Sequence, residues 1–106
     1  MAERRRVGRI ETNLRARWEG VLTQREGEVV DLSATGCFIL TADEVKPNEL
    51  IRLEIRLDET EAVYLWGEVV YKIPEIGFGV RFNGSDEQEE ARLFQYIRDR
   101  LQTQPA

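Results

Sequence analysis

Apolar and polar positions alternate along most of the chain. Leu14, Ala16 and Trp18 are interleaved with Arg15 and Arg17, the period-two pattern of a strand with one buried face. A second strand is expected at about Glu28 to Leu32, ending among the turn formers Asp31, Ser33 and Gly36, with a third directly after it at Cys37 to Leu40. The strictest alternation lies at 51–57, where Ile51, Leu53, Ile55 and Leu57 oppose Arg52, Glu54 and Arg56. Asp58 to Glu61 reads as a hairpin loop. Val63 to Tyr71 then returns as a long strand, with Gly67 marking a bulge or a barrel bend. Pro74 to Gly77 makes the next turn, and Phe78, Val80 and Phe82 alternate in a last strand.

The period changes after Asn83. Ser85 is placed as an N-cap with Gln88 as its capping-box partner, and Asp86, Glu87, Glu89 and Glu90 suit the positive end of a helix dipole. Leu93, Phe94, Ile97 and Leu101 are read as the packing face of that helix. Six strands and one helix predict an all-β fold with a C-terminal helix, a six-stranded antiparallel barrel whose closure removes exposed edges. The expected division is an arginine-rich arm at 1–12, a barrel with its helix at 13–102 and a tail at 103–106. Residues 1–12 are assigned to the arm because their polarity offers no buried face.

Composition narrows the chemistry. The 106 residues suit one domain, and 42% hydrophobic with 33% charged residues can bury a modest core. No apolar run is long enough to cross a bilayer and no signal core follows the basic N-terminus, so a cytoplasmic protein without membrane insertion is expected. Cys37, the single cysteine, reads as a small buried apolar residue. The absence of histidine removes histidine-dependent triads and histidine-based zinc sites, and one cysteine cannot form a thiolate cluster. Neither a P-loop nor a G-x-G-x-x-G phosphate loop occurs. No enzyme activity, metal or cofactor is expected.

The net charge of −5 is unevenly placed. Residues 1–17 hold six arginines against Glu3 and Glu11, a net +4, which leaves −9 for the other 89 residues. A cationic segment on an acidic body suits a compact anion better than DNA or RNA, which require a broad basic surface.

Two short motifs supply complementary chemistry. Arg4-Arg5-Arg6-Val7-Gly8-Arg9 contains R-x-x-x-R at Arg5 and Arg9. Guanidinium forks fit phosphate oxygens and the O6/N7 edge of guanine. Asp31-Leu32-Ser33-Ala34-Thr35-Gly36 is D-x-S-x-x-G. The aspartate matches the paired N–H donors of a guanine Watson–Crick edge, Ser33 donates or accepts beside it, and Gly36 allows a tight turn close to a ligand. Taken singly, the first reads equally as a solvated charge run and the second as an ordinary turn.

Together, in this order and beside these strands, the motifs resemble the PilZ domain family, whose members bind cyclic di-GMP through R-x-x-x-R and [D/N]-x-S-x-x-G. Gly77-Phe78-Gly79-Val80-Arg81-Phe82 resembles the family's final strand. The resemblance runs from Glu3 through the C-terminal helix. It implies a stand-alone receptor whose arm folds across the ligand, with Arg5 and Arg9 on phosphates and guanine edges and Arg4 assisting. Asp31, Ser33 and Gly36 would take the roles of the second motif. Similar proteins often hold the ligand as an intercalated dimer and place a large residue near a guanine, for which Tyr71 is the best match. Trp66 falls on the opposite strand face by parity. The ligand-driven change would signal to a downstream protein partner. The alternatives are a ligand-independent adaptor of the same fold and a small-barrel binder of single-stranded nucleic acid.

Overall fold

The computed structural model describes residues 8–20 and 24–103. Six strands follow in order: β1 (Ile10–Glu19), β2 (Gln24–Leu32), β3 (Gly36–Leu40), β4 (Leu50–Arg56), β5 (Ala62–Ile73) and β6 (Gly77–Phe82). The helix α1 (Glu87–Thr103) completes the fold. All strand pairings are antiparallel, and the order β1-β2-β3-β6-β5-β4 closes through the pairing of β1 with β4. The six-stranded barrel and its C-terminal helix match the expectation from alternation.

The barrel interior takes the apolar set of each strand, including Ala16, Trp18, Val29, Leu32, Ile39, Ile51, Leu53, Ile55, Val63, Leu65, Val69 and Phe78. Trp18 meets Phe78 edge to face, with ring centroids 5.1 Å apart, an arrangement that the ring quadrupoles favour. No buried side-chain nitrogen or oxygen lacks a hydrogen-bond partner among the described residues.

Several features differ from the sequence reading. First, β1 begins at Ile10, which is buried and pairs with Leu32. The arm boundary therefore falls before Ile10 rather than after Thr12, because one apolar residue among polar neighbours still suffices to anchor a strand end. Second, Asp86 rather than Ser85 caps the helix, its Oδ1 accepting from the backbone N–H of Gln88 at 2.7 Å. Ser85 is occupied elsewhere, since its Oγ accepts from the backbone N–H of Trp66 at 2.9 Å. That contact, with Glu89 Oε1 accepting from the N–H of Tyr64 at 2.8 Å, covers the part of β5 that extends beyond β6 and satisfies backbone donors at a strand edge. Third, Leu93 and Ile97 are buried but Phe94 is 53% exposed. Phe94 lies about 100° around the helix from Leu93, and α1 rests on the barrel along the narrower stripe of Leu93, Tyr96, Ile97 and Leu101.

The expected irregularity at Gly67 is also displaced. Gly67 stays in register, packed so closely that an added Cβ would lie 2.4 Å from Val80 Cγ1. The register shift in β5 falls between Val69 and Tyr71, and a second falls between Val29 and Asp31 in β2. These two shifts build the site.

Candidate functional site

In an unbroken strand, residues 29 and 31 would face the same way, as would 69 and 71. Val29 and Val69 are fully buried. The extra residues Val30 and Val70 reverse the alternation, so that Asp31 and Tyr71 turn to the outside. The registers Asp31↔Phe38, Phe38↔Gly79 and Gly79↔Tyr71 then set one row across β2, β3, β6 and β5. Phe38 and Tyr71 stack with centroids 6.0 Å apart. Gly79 makes this possible, since an added Cβ would lie 2.3 Å from Tyr71 Cε1.

Trp66 is exposed as well, so the parity reading that set it on the face opposite Tyr71 is corrected by the Val70 bulge. The two aromatics nevertheless belong to different places. Trp66 lines a separate hollow with Tyr64, Arg17 and Arg52, whose guanidinium lies 5.5 Å from its ring centroid.

The D-x-S-x-x-G segment forms a tight self-bonded turn between β2 and β3. Ser33 Oγ accepts from the backbone N–H groups of Thr35 and Gly36, each at 3.2 Å, and the Ser33 N–H donates to Gly36 O at 2.9 Å. Phe82 N–H donates to Thr35 O at 2.8 Å, tying the turn to the end of β6. Gly36 has a packing role that the sequence did not disclose. A Cβ there would lie 2.2 Å from the carbonyl oxygen of Val80, so glycine is required by the approach of β3 to β6.

Arg9 sits immediately before β1, and its Nη2 donates to Asp31 Oδ2. The hydrogen bond and then the charge of Asp31 raise the guanidinium pKa further above its ordinary value. Arg9, Ser33, Thr35, Gly36, Phe38, Tyr71, Gly79 and Arg81 line one open hollow of about 240 Å³. Cys37 is buried beneath it. Burial pushes its thiol pKa well up, and the Asp31 carboxylate adds to the effect, which favours the thiol form.

Of the residues singled out from the sequence, Arg9, Ser33, Gly36 and Tyr71 therefore line one hollow and Asp31 adjoins it through Arg9, while Arg4 and Arg5 lie outside the described residues. Thr35, Phe38 and Arg81 were missed. Their membership follows from register, which appears in no local pattern. Among the described residues no group of three or more metal-ligating side chains is gathered, and no helix is long and apolar enough to cross a membrane.

The closed six-stranded barrel thus carries on its outer wall a hollow that brings Arg9 together with the Ser33–Gly36 turn. The PilZ domain family model matches residues 3–99, and the chain belongs to that family, one of cyclic di-GMP receptors. A comparison with curated proteins finds no matching sequence. Among solved structures, the Bacillus subtilis inhibitor of motility MotI/DgrA is similar at TM-score 0.74 and 21% identity, over 92% of this chain and 51% of that one. The chain thus spans about half the length of that protein. The PilZ domain of CeSA from a cellulose-synthesizing bacterium aligns at TM-score 0.69 and 14% identity, covering 86% of this chain and 95% of the other. The apo structure of K. pneumonia MrkH aligns at TM-score 0.68 and 15% identity, over 84% and 46% of the two chains. These likenesses establish the fold.

Proposed function

We propose that the protein is a non-catalytic, cytoplasmic receptor for cyclic di-GMP that passes the signal to a partner protein by changing its surface. The observation that carries this reading is the convergence of Arg9, Ser33 and Tyr71, drawn from distant parts of the chain, on one hollow, with Asp31 joined to it through its hydrogen bond from Arg9. A guanine placed on the Phe38–Tyr71 side would have an apolar platform for its face and the Asp31 carboxylate for its N–H donors. Arg9 and Arg5 would hold phosphates and guanine edges through paired N–H donors. Arg4 would assist, and an intercalated ligand dimer could take up the additional arginines.

Arg9 is set against the barrel by the buried Ile10 that follows it. In this reading it is the fixed end of the R-x-x-x-R motif, and the segment carrying Arg4 and Arg5 closes over the ligand from that point. A ligand-dependent rearrangement of a charged segment is a recognised kind of switch. Calorimetric titration of the full chain with cyclic di-GMP tests the proposal. Micromolar or tighter binding is expected, with amide NMR shifts at Asp31, Ser33 and Tyr71. Absence of both heat and shifts at that concentration overturns it.

A further inference from the structure

Arg81 belongs to neither motif, yet β6 presents it to the same hollow. In register it stands between Gly36 of β3 and Glu68 of β5. Gly36 offers no side chain, so the guanidinium leans the other way, and its Nη2 lies 3.4 Å from Glu68 Oε1. The Arg81 side chain is 64% exposed against 23% for Glu68. A single-contact, solvent-facing pair of this kind contributes little to folding. Arg81 is also, with Arg9, one of two cationic side chains among the described residues that line the hollow. Both are held by a carboxylate, Arg9 by Asp31 and Arg81 by Glu68.

This has a consequence for a ligand with two phosphates. Arg9 enters from the β1 side and Arg81 from β6, on the far side of the Ser33–Gly36 turn. We propose that Arg81 is a further ligand-holding residue, presenting its guanidinium from the barrel wall to one phosphate of the cyclic dinucleotide, and that Glu68 is a positioning residue that holds the guanidinium until the phosphate replaces it. The inference rests on the cyclic di-GMP reading above. When the phosphate arrives, the guanidinium exchanges one anionic acceptor for another. Arg81 is carried on a strand paired on both sides, so little backbone ordering cost falls on it.

The test is calorimetric titration of the full chain with cyclic di-GMP, using the wild type, Arg81→Gln, Glu68→Gln and the double variant, with a thermal melt of each. Arg81→Gln is expected to weaken binding about tenfold, the scale of one charge-assisted hydrogen bond. Glu68→Gln is expected to strengthen it severalfold, because the competing carboxylate is gone. In the Arg81→Gln background, Glu68→Gln is expected to change nothing further. Melting temperatures should stay within a few degrees, which separates ligand contact from support of the fold. If the wild type binds and Arg81→Gln binds equally well, the inference is overturned while the receptor reading stands. Parallel losses of affinity and melting temperature in both single variants also overturn it, by showing a structural pair. If the wild type does not bind, the receptor reading fails and takes the inference with it.

Discussion

The Arg9 guanidinium donates to the Asp31 carboxylate across 22 residues of sequence, joining the arginine motif to the turn motif. The pair stays open to solvent, with the Arg9 side chain 58% and the Asp31 side chain 34% exposed. A bound dinucleotide has to use the pair as it stands or exchange it for contacts with phosphate and guanine. The measured effect of removing either residue will therefore include the fate of the other.

Arg9→Ala and Asp31→Ala should each weaken cyclic di-GMP binding by tenfold or more, corresponding to about 1.5–3 kcal/mol of charge-assisted hydrogen bonding. The double variant should lose less than the product of the two single effects, because the side chains are in contact. A double-mutant cycle by isothermal titration calorimetry measures that coupling. Strict additivity would show that the two residues act on the ligand independently.

Gly36→Ala should damage the barrel rather than the ligand contact alone. Its Cβ would meet a backbone oxygen, Val80 O, at 2.2 Å, and relief requires β3 and β6 to separate. A loss of about 1–3 kcal/mol is expected from such overpacking, seen as a lower thermal midpoint without ligand. The nearest atoms to a Gly79→Ala Cβ belong to the ring of Tyr71, which is half exposed and can swing aside. This substitution should cost less stability and should displace Tyr71 from Phe38, visible in the aromatic NMR shifts.

Acid should loosen the β4–β5 hairpin through Asp58. Its Oδ1 accepts from the backbone N–H groups of Thr60 and Glu61, both at 2.8 Å, and from the Thr60 hydroxyl at 3.1 Å. These bonds lower its pKa from the ordinary value of 3.8. A depressed carboxylate contributes stability above its unfolded pKa and loses it as the pH falls through the folded one. The melting temperature of the wild type should therefore fall more steeply below about pH 4 than that of Asp58→Asn. Parallel acid curves would count against the hairpin bonds as the cause.

Ile97 and Phe94 should behave oppositely despite their similar apolarity. Ile97 is 3% exposed and Phe94 53% exposed. Ile97→Ala should cost about 2–5 kcal/mol, the usual range for emptying a buried aliphatic site. Phe94→Ala should leave the melting curve nearly unchanged, as expected of an exposed position. Denaturant titration of both variants measures the contrast.

How far the site could be read in advance depended on how local each signal was. Ile51 to Leu57 declares a strand by itself, because period two needs no partner to be seen. R-x-x-x-R and D-x-S-x-x-G likewise lie in the chain as short strings. Tyr71 is the best match in the sequence for a large residue near the ligand, but its comparison with Trp66 by strand parity fails at Val70, where a single extra residue reverses the face. Ser85 and Asp86 are equally good caps on paper. The choice fell to Asp86 because the backbone of Trp66 takes the Ser85 hydroxyl.

Sequence alone determined the order of strands and helix, the closed antiparallel class and the two motifs, since each rests on residue type at short spacing. Tertiary structure alone decided that Arg9 reaches Asp31, that Gly36 serves the approach of β3 to β6, and that Arg81 shares the hollow. Those relations arise from the bulges at Val30 and Val70 and from barrel closure. Both set which residues of distant strands face each other, and cross-strand register leaves no periodic trace within any one strand.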